Sequence, residues 1–220
     1  MKISMSPRRE RERERKTNEI IDAAEKEYFS KGFNKTTMET IAARLELTKP
    51  ALYRYFKSKE DLYYAIVLRG TAILAEMMKK EVNSKKTGFG KIHATGVAYC
   101  KFYREFPDYC RIMLNIKNSP TPNVDCLNLQ KLLKYNNNHL TIMCNAIETG
   151  KEDSTIRTDI DTLMTALFLT ESTIAVMQLS DNMDEKGLSD NKEDFIMHSL
   201  MLMGNSLENP KIKSKGELNK

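Results

Sequence analysis

Lys49, Tyr53 and Tyr55 lie within seven residues of one another, with Pro50 and Ala51 between them, in the run TKPALYRYF. On the outward face of a short helix this set offers an ammonium, two phenolic hydroxyls and small apolar surface near the helix N-terminus. Basic and hydroxyl groups suit phosphate oxygens, and apolar atoms suit thymine methyls, so the chemistry predicted is non-covalent recognition in a DNA groove. Covalent chemistry has no comparable signal. No glycine-rich phosphate loop, HExxH or GxSxG occurs, and His93, His139 and His198 are scattered. No cofactor and no metal site are expected.

The residues around this set read as the elements that would hold it. Thr36 or Thr37 can cap a helix whose apolar positions are Met38, Ile41, Ala42 and Leu45. A second helix opens about three residues later, with Thr48 as N-cap, Pro50 in the first turn, and Leu52 and Phe56 as the buried face. Ser58, with Asp61 three residues on, resembles a capping box and opens another helix at Lys59. Two short helices and the start of a further one, with almost no slack, have the spacing of a helix-turn-helix. A three-helix unit of this kind also occurs in proteins that bind no nucleic acid.

The string TTMETIAARLELTKPALYRYFKSKEDL, above all LYRYF followed by KSKEDL, resembles the N-terminal signature of the TetR family of one-component transcriptional regulators. The similarity runs from about Ile20 to Leu68. It implies an all-α fold, with an N-terminal three-helix helix-turn-helix DNA-binding domain and a larger C-terminal helical domain for ligand binding and dimerisation. Carried over by position, the resemblance implies that Thr37 binds a phosphate at the start of the first of these short helices, and that Thr48 and Lys49 open the recognition helix. Pro50 and Ala51 would touch base edges, Tyr53 a phosphate, Tyr55 backbone or base, and Lys59 a phosphate. The sequence departs from the family where a glycine is usual in the turn. Glu46 or its neighbour must adopt that backbone shape, at a cost on the order of 1 kcal/mol.

Charge distribution agrees with this assignment. Residues 1–60 contain 15 Lys and Arg against 10 Asp and Glu, while the remaining residues balance at 20 and 20. The whole excess of +5 therefore lies with the helix-turn-helix, as expected if that segment meets a polyanion. Cys100, Cys110, Cys126 and Cys144 are widely spaced in apolar surroundings and lack CxxC pairing, which predicts free thiols in a reducing compartment. The charged N-terminus and the absence of an apolar run near a membrane span's length predict a cytoplasmic protein with no membrane partner.

At 220 residues the chain can bury a substantial core. The expected domains are residues 1–60, with 1–10 a flexible arm, then 61–208, then a disordered tail at 209–220. The alternating Arg and Glu of the arm favour a solvated helical extension, or an arm whose Arg8, Arg9 and Arg11 reach DNA. The first helix is expected over about 11–31, ended by Gly32 as a left-handed cap, and helix 4 over about 59–81. SKKTGFG, residues 84–90, reads as a loop. Further helices are expected through Phe106, over about 108–116, and over about 124–149 with Leu129, Leu132, Leu133, Leu140, Met143, Cys144 and Ile147 inside; NSPTPN precedes the last of these as a loop.

Residues 160–181 and about 191–207 are apolar on more than one face, so they must be covered on more than one side. Self-association is the natural outlet, and the resemblance implies a homodimer through these two helices on a palindromic double-stranded DNA operator. The resemblance also implies a small-molecule inducer pocket between helices 4 and 7. His93, Tyr99, Tyr103, His139 and Met143 are the lining candidates, although each also fits as a core residue. The function expected is a ligand-responsive regulator, a repressor released by a small apolar inducer. Alternatives are an activator, or a small-molecule binding protein whose helix-turn-helix no longer reads DNA.

Overall fold

The computed structural model describes residues 6–116, 126–181, 183 and 191–210, and for 135–138 and 181 the backbone alone. The described residues form nine helices and no strand. They divide into two compact units, Met1–Gly70 with Asn115–Leu133, and Thr71–Leu114 with Lys134–Lys220. The boundary thus falls after Gly70 rather than after residue 60, and a later segment joins the first unit. The reason is the first turns of α4 (Lys59–Asn83), where Leu62, Tyr63, Tyr64 and Ile66 are buried.

In the first unit, α1 (Pro7–Lys35) buries Ile20, Ile21, Ala24 and Tyr28 along one stripe, while Arg8 to Arg15 stay exposed as a helical extension. Gly32 breaks α1 internally, with φ 73° and ψ 175°. That is a positive φ with an extended ψ, rather than the left-handed helical cap expected, and only glycine adopts it without strain. Next come α2 (Met38–Arg44) and α3 (Lys49–Tyr53), each opened by a threonine cap. Ile41, Leu52 and Phe56 complete the core beneath them. Ser58 Oγ accepts from Asp61 N at 3.1 Å, and Asp61 Oδ2 accepts from Lys57 N, so the expected box opens α4 with its return bond one residue earlier.

The second unit contains α5 (Gly88–Glu105), α6 (Pro107–Leu114), α8 (Thr162–Asp181), α9 (Lys192–Asn205) and most of α7 (Leu127–Glu152). Ile92, Met143, Ile147, Ile156, Leu169 and Leu207 form one apolar cluster. Leu74, Met78, Ala98, Phe102 and Cys110 form another. All four cysteines are free. The last three residues of the expected SKKTGFG loop are helical, because α5 begins at Gly88 behind a Thr87 cap. Residues far along the chain complete that start: Asp153 Oδ2 accepts from Gly88 N at 2.8 Å, and Thr155 Oγ1 from Phe89 N at 3.1 Å. Glycine is needed at 88 for space, since a Cβ there would stand 2.0 Å from Gly150 N.

Other expectations shift. Leu133 is 56% exposed instead of inside. α7 ends at Glu152, three residues later than expected, and Ile156, in the connection beyond it, is fully buried. The start of the tail is fixed, Asn209 donating to Thr155 O and Ser154 O. NSPTPN, the expected start of helix 7, residues 1–5 and residues 211–220 lie outside the described residues. Thr162–Ser180 of α8 is long and apolar enough to cross a membrane by length and composition, contrary to the expectation that no run approaches that length; it packs on α9. Leu163, Met164 and Phe168 of α8, and Met197, Met201 and Leu202 of α9, are exposed.

The Gly88 contact yields a direct test. Gly88→Ala drives a methyl into backbone, which cannot yield as a side chain can, and is expected to lower folding stability by about 3 kcal/mol or more in denaturant titration.

Candidate nucleic-acid interface

The exposed edge of the first unit is built by local caps. Thr37 Oγ1 accepts from Thr40 N at 3.1 Å, and Thr37 N donates to Thr40 Oγ1 at 3.3 Å, a reciprocal capping box that starts α2. Thr48 Oγ1 accepts from Ala51 N at 3.3 Å and starts α3, with Pro50 in its first turn. Between the two helices Glu46 has φ 54°, the left-handed backbone that the missing glycine demanded. Its amide donates to Ala43 O at 3.1 Å and that of Leu47 to Ala42 O at 2.9 Å, closing the turn.

Buried groups beneath fix how these helices are held. Glu27 of α1 is 2% exposed; it accepts from Lys31 Nζ at 2.7 Å and from Arg44 Nε of α2 at 3.0 Å. These bonds, Lys31's first, hold its carboxyl below the usual carboxylate range despite burial. Tyr28 donates its hydroxyl to Lys59 O at 3.0 Å, tying α1 to the start of α4. Its ring meets those of Phe33 and Tyr63 with centroids 6.0 and 5.6 Å apart. Burial pushes the Tyr28 phenol well up and that of Tyr63 to about 12, so both are neutral at physiological pH.

Thr37, Thr48, Lys49, Pro50 and Tyr53 are exposed, and Ala51 is half-buried among them. Tyr55 departs from the expectation: α3 ends at Tyr53, and Tyr55 sits half-buried in the following turn. Lys59 is also constrained. Its Nζ lies 4.1 Å from the centroid of the Phe33 ring, and burial lowers its pKa. Lys49 is not free: its Nζ bonds Glu39 Oε1 of α2, and lies 6.0 Å from the centre of the Tyr53 ring. Neither Glu27 nor Glu39 was among the sequence-derived candidates. A carboxylate one turn before Lys31 was a visible signal for Glu27, whereas nothing local marks Glu39 as the partner of a lysine ten residues away.

Two cavities among the described residues take in three of the five expected inducer residues. A cavity of about 60 Å3 is lined by His93 and Met143 with Thr95, Thr173, Met197 and Met203. Another of about 170 Å3 is lined by Tyr103 with Val97, Cys100, Arg104, Glu193 and Met197. Both lie in the second unit along α5 and α9. Tyr99 and His139 line neither, and instead pack edge to face at 5.8 Å. Burial lowers the pKa values of both histidines, and the Nε2 atoms of both are buried without a hydrogen-bond partner.

Two capped helices joined by a tight turn on a buried α1–α4 floor define a helix-turn-helix. The profile of the bacterial regulatory proteins, tetR family, matches residues 20–66. That match covers the helix-turn-helix and its flanks, so this segment is similar to the N-terminal part of tetR-family regulators. The chain is 26% identical over 90 residues to the HTH-type transcriptional activator FasR of Mycolicibacterium smegmatis, covering 41% of each chain. It is 36% identical over 61 residues to the HTH-type transcriptional regulator YhgD of Bacillus subtilis, covering 28% of this chain and 30% of that one. The match thus spans less than half the length of either curated relative. In fold it is similar to SmeT, the repressor of the Stenotrophomonas maltophilia multidrug efflux pump SmeDEF, with TM-score 0.67 and 21% identity over 87% of this chain and 90% of that one. The fatty acid degradation regulator FadR of Bacillus halodurans gives TM-score 0.67 with 15% identity over 92% and 97%.

Glu27 sets a pH dependence of stability. Its folded-state pKa lies below the ordinary 4.5, so its contribution is complete above that value and is lost as pH falls through the lowered one. Glu27→Gln is expected to cost about 1–3 kcal/mol near neutral pH, and the difference from the unaltered protein should shrink as unfolding is measured at progressively more acid pH. The turn gives a second test. Glu46→Gly relieves the positive φ and is expected to raise stability by up to about 1 kcal/mol in the same assay.

Proposed function

We propose that the protein is a sequence-specific double-stranded DNA-binding regulator, a repressor released by a small apolar inducer. The observation that carries this reading is the exposed set at the starts of α2 and α3, Thr37, Thr48, Lys49, Pro50 and Tyr53, on the segment that matches the tetR profile. In this reading α3 enters the major groove, where Lys49 reaches a guanine edge or a phosphate and Pro50 and Ala51 meet a thymine methyl. Tyr53 and Thr37 hold phosphates. Lys59 and Tyr55, both half-buried, act at the margin of the interface. The protein acts in the cytoplasm, where its DNA lies.

The exposed apolar side chains of α8 and α9 support a homodimer through these helices, since so much apolar surface on two adjacent helices is unfavourable in water. A two-fold dimer places two α3 helices on a palindromic operator. The methionine-lined cavity beside His93 is the proposed inducer site, because methionine walls adapt to an apolar guest. Ligand-released repression is the sense we assign: a ligand that favours another spacing of the two α3 helices weakens a complex that fits without it.

Binding to the DNA flanking the protein's own gene tests the first claim. Lys49→Ala is expected to weaken the complex by about 1–3 kcal/mol and to reduce its salt slope by about one; Tyr53→Phe should weaken it by about 0.5–1.5 kcal/mol. Sedimentation tests the second. Phe168→Asp should weaken the dimer by at least about 2 kcal/mol and leave the helical content intact.

A further inference from the structure

The lysine assigned to DNA in the reading above is held instead by a carboxylate of the protein itself. Glu39 is the second residue of α2, and Lys49 is the first of α3. Lys49 Nζ bonds Glu39 Oε1 across the turn between the two helices. The two charged side chains are 48% and 58% exposed. An exposed pair of this kind adds little to folding stability. Its position matters more, because Lys49 is a group that a phosphate would also seek.

We propose that Glu39 is an internal counter-ion that competes with DNA phosphate for Lys49, so that only a duplex fitting the rest of the interface displaces it. The inference rests on the DNA-binding reading and specifies how that interface discriminates. Affinity for duplex of any sequence comes from cations that replace the counter-ions condensed on phosphates. A lysine already neutralised by a carboxylate brings little of that term. On a duplex of arbitrary sequence the Glu39 pair persists and Lys49 contributes almost nothing. On a fitting site, contacts from Thr48, Ala51 and Tyr53 hold the DNA close enough to offer Lys49 a better acceptor, and the pair opens. Glu39 therefore lowers non-specific affinity more than specific affinity, which widens the ratio between them.

The test uses the full-length protein and a non-palindromic duplex of arbitrary sequence, with binding followed by fluorescence anisotropy between about 50 and about 200 mM salt. Glu39→Gln is expected to bind about three- to tenfold tighter at the low end and to steepen the salt slope by about 0.9. Lys49→Gln should leave the slope of the unaltered protein where it is, and adding it to Glu39→Gln should return the slope to that value. A slope reduced by about 0.9 in Lys49→Gln and unmoved in Glu39→Gln would mean that Lys49 already serves the phosphates, and would overturn the inference while leaving DNA binding intact. Failure of every variant to bind any duplex at low salt would overturn the DNA-binding reading and this inference with it.

Discussion

The helix-turn-helix depends on a charge that is almost wholly withdrawn from water. Glu27 is buried under α2, and an isolated carboxylate there would cost several kcal/mol. Lys31 holds it from within α1, and Arg44 reaches it from the last turn of α2. The bond to Arg44 is directional as well as electrostatic, so it selects one placement of α2 on α1 where apolar packing alone would accept several. The turn at Glu46 then fixes α3 relative to α2, and Leu52 and Phe56 press it onto the same floor. The exposed threonines, Lys49 and Tyr53 inherit their positions from that chain of constraints.

A second set of contacts fixes the start of α4. Tyr28 uses its ring against Phe33 and Tyr63 and its hydroxyl on Lys59 O, an arrangement in which one side chain supplies both apolar burial and a hydrogen bond. Asp61, three residues into α4, accepts from Lys57 N and from Asn128 Nδ2 at 2.9 Å, and Asn128 also donates to Asp61 O. Segment 115–133 thereby becomes part of the N-terminal unit. α4 and α7 each contribute residues to both units.

Much of the N-terminal unit was legible because its determinants are local. The caps at Thr37, Thr48 and Ser58 lie within three residues of the amides they bind, and the stripe Ile20, Ala24, Tyr28 repeats at the helical period. The strained turn at Glu46 was legible from a missing glycine. The remainder depended on partners distant in sequence. SKKTGFG reads as a loop until Asp153 and Thr155 supply the acceptors for its amides, and Gly88 looks like a helix breaker until Gly150 is found against it. Leu133 fits the inward pattern of α7, yet is exposed. Within the candidate interface, the residue types were readable, but the pairing of Lys49 with Glu39 and the seating of Lys59 over Phe33 were not. Of the five inducer candidates, His93 and Met143 line one cavity and Tyr103 another, since a helical period specifies a face and not what lies opposite.

Nuclease protection on the DNA flanking the gene tests the central claim most directly. A TetR-type dimer predicts two protected half-sites related by a two-fold axis and centred about one helical turn, roughly 34–36 Å, or a multiple of it apart. No protected site there, and none recovered when genomic fragments are selected for binding at low salt, would contradict the assignment of α3 to a DNA groove.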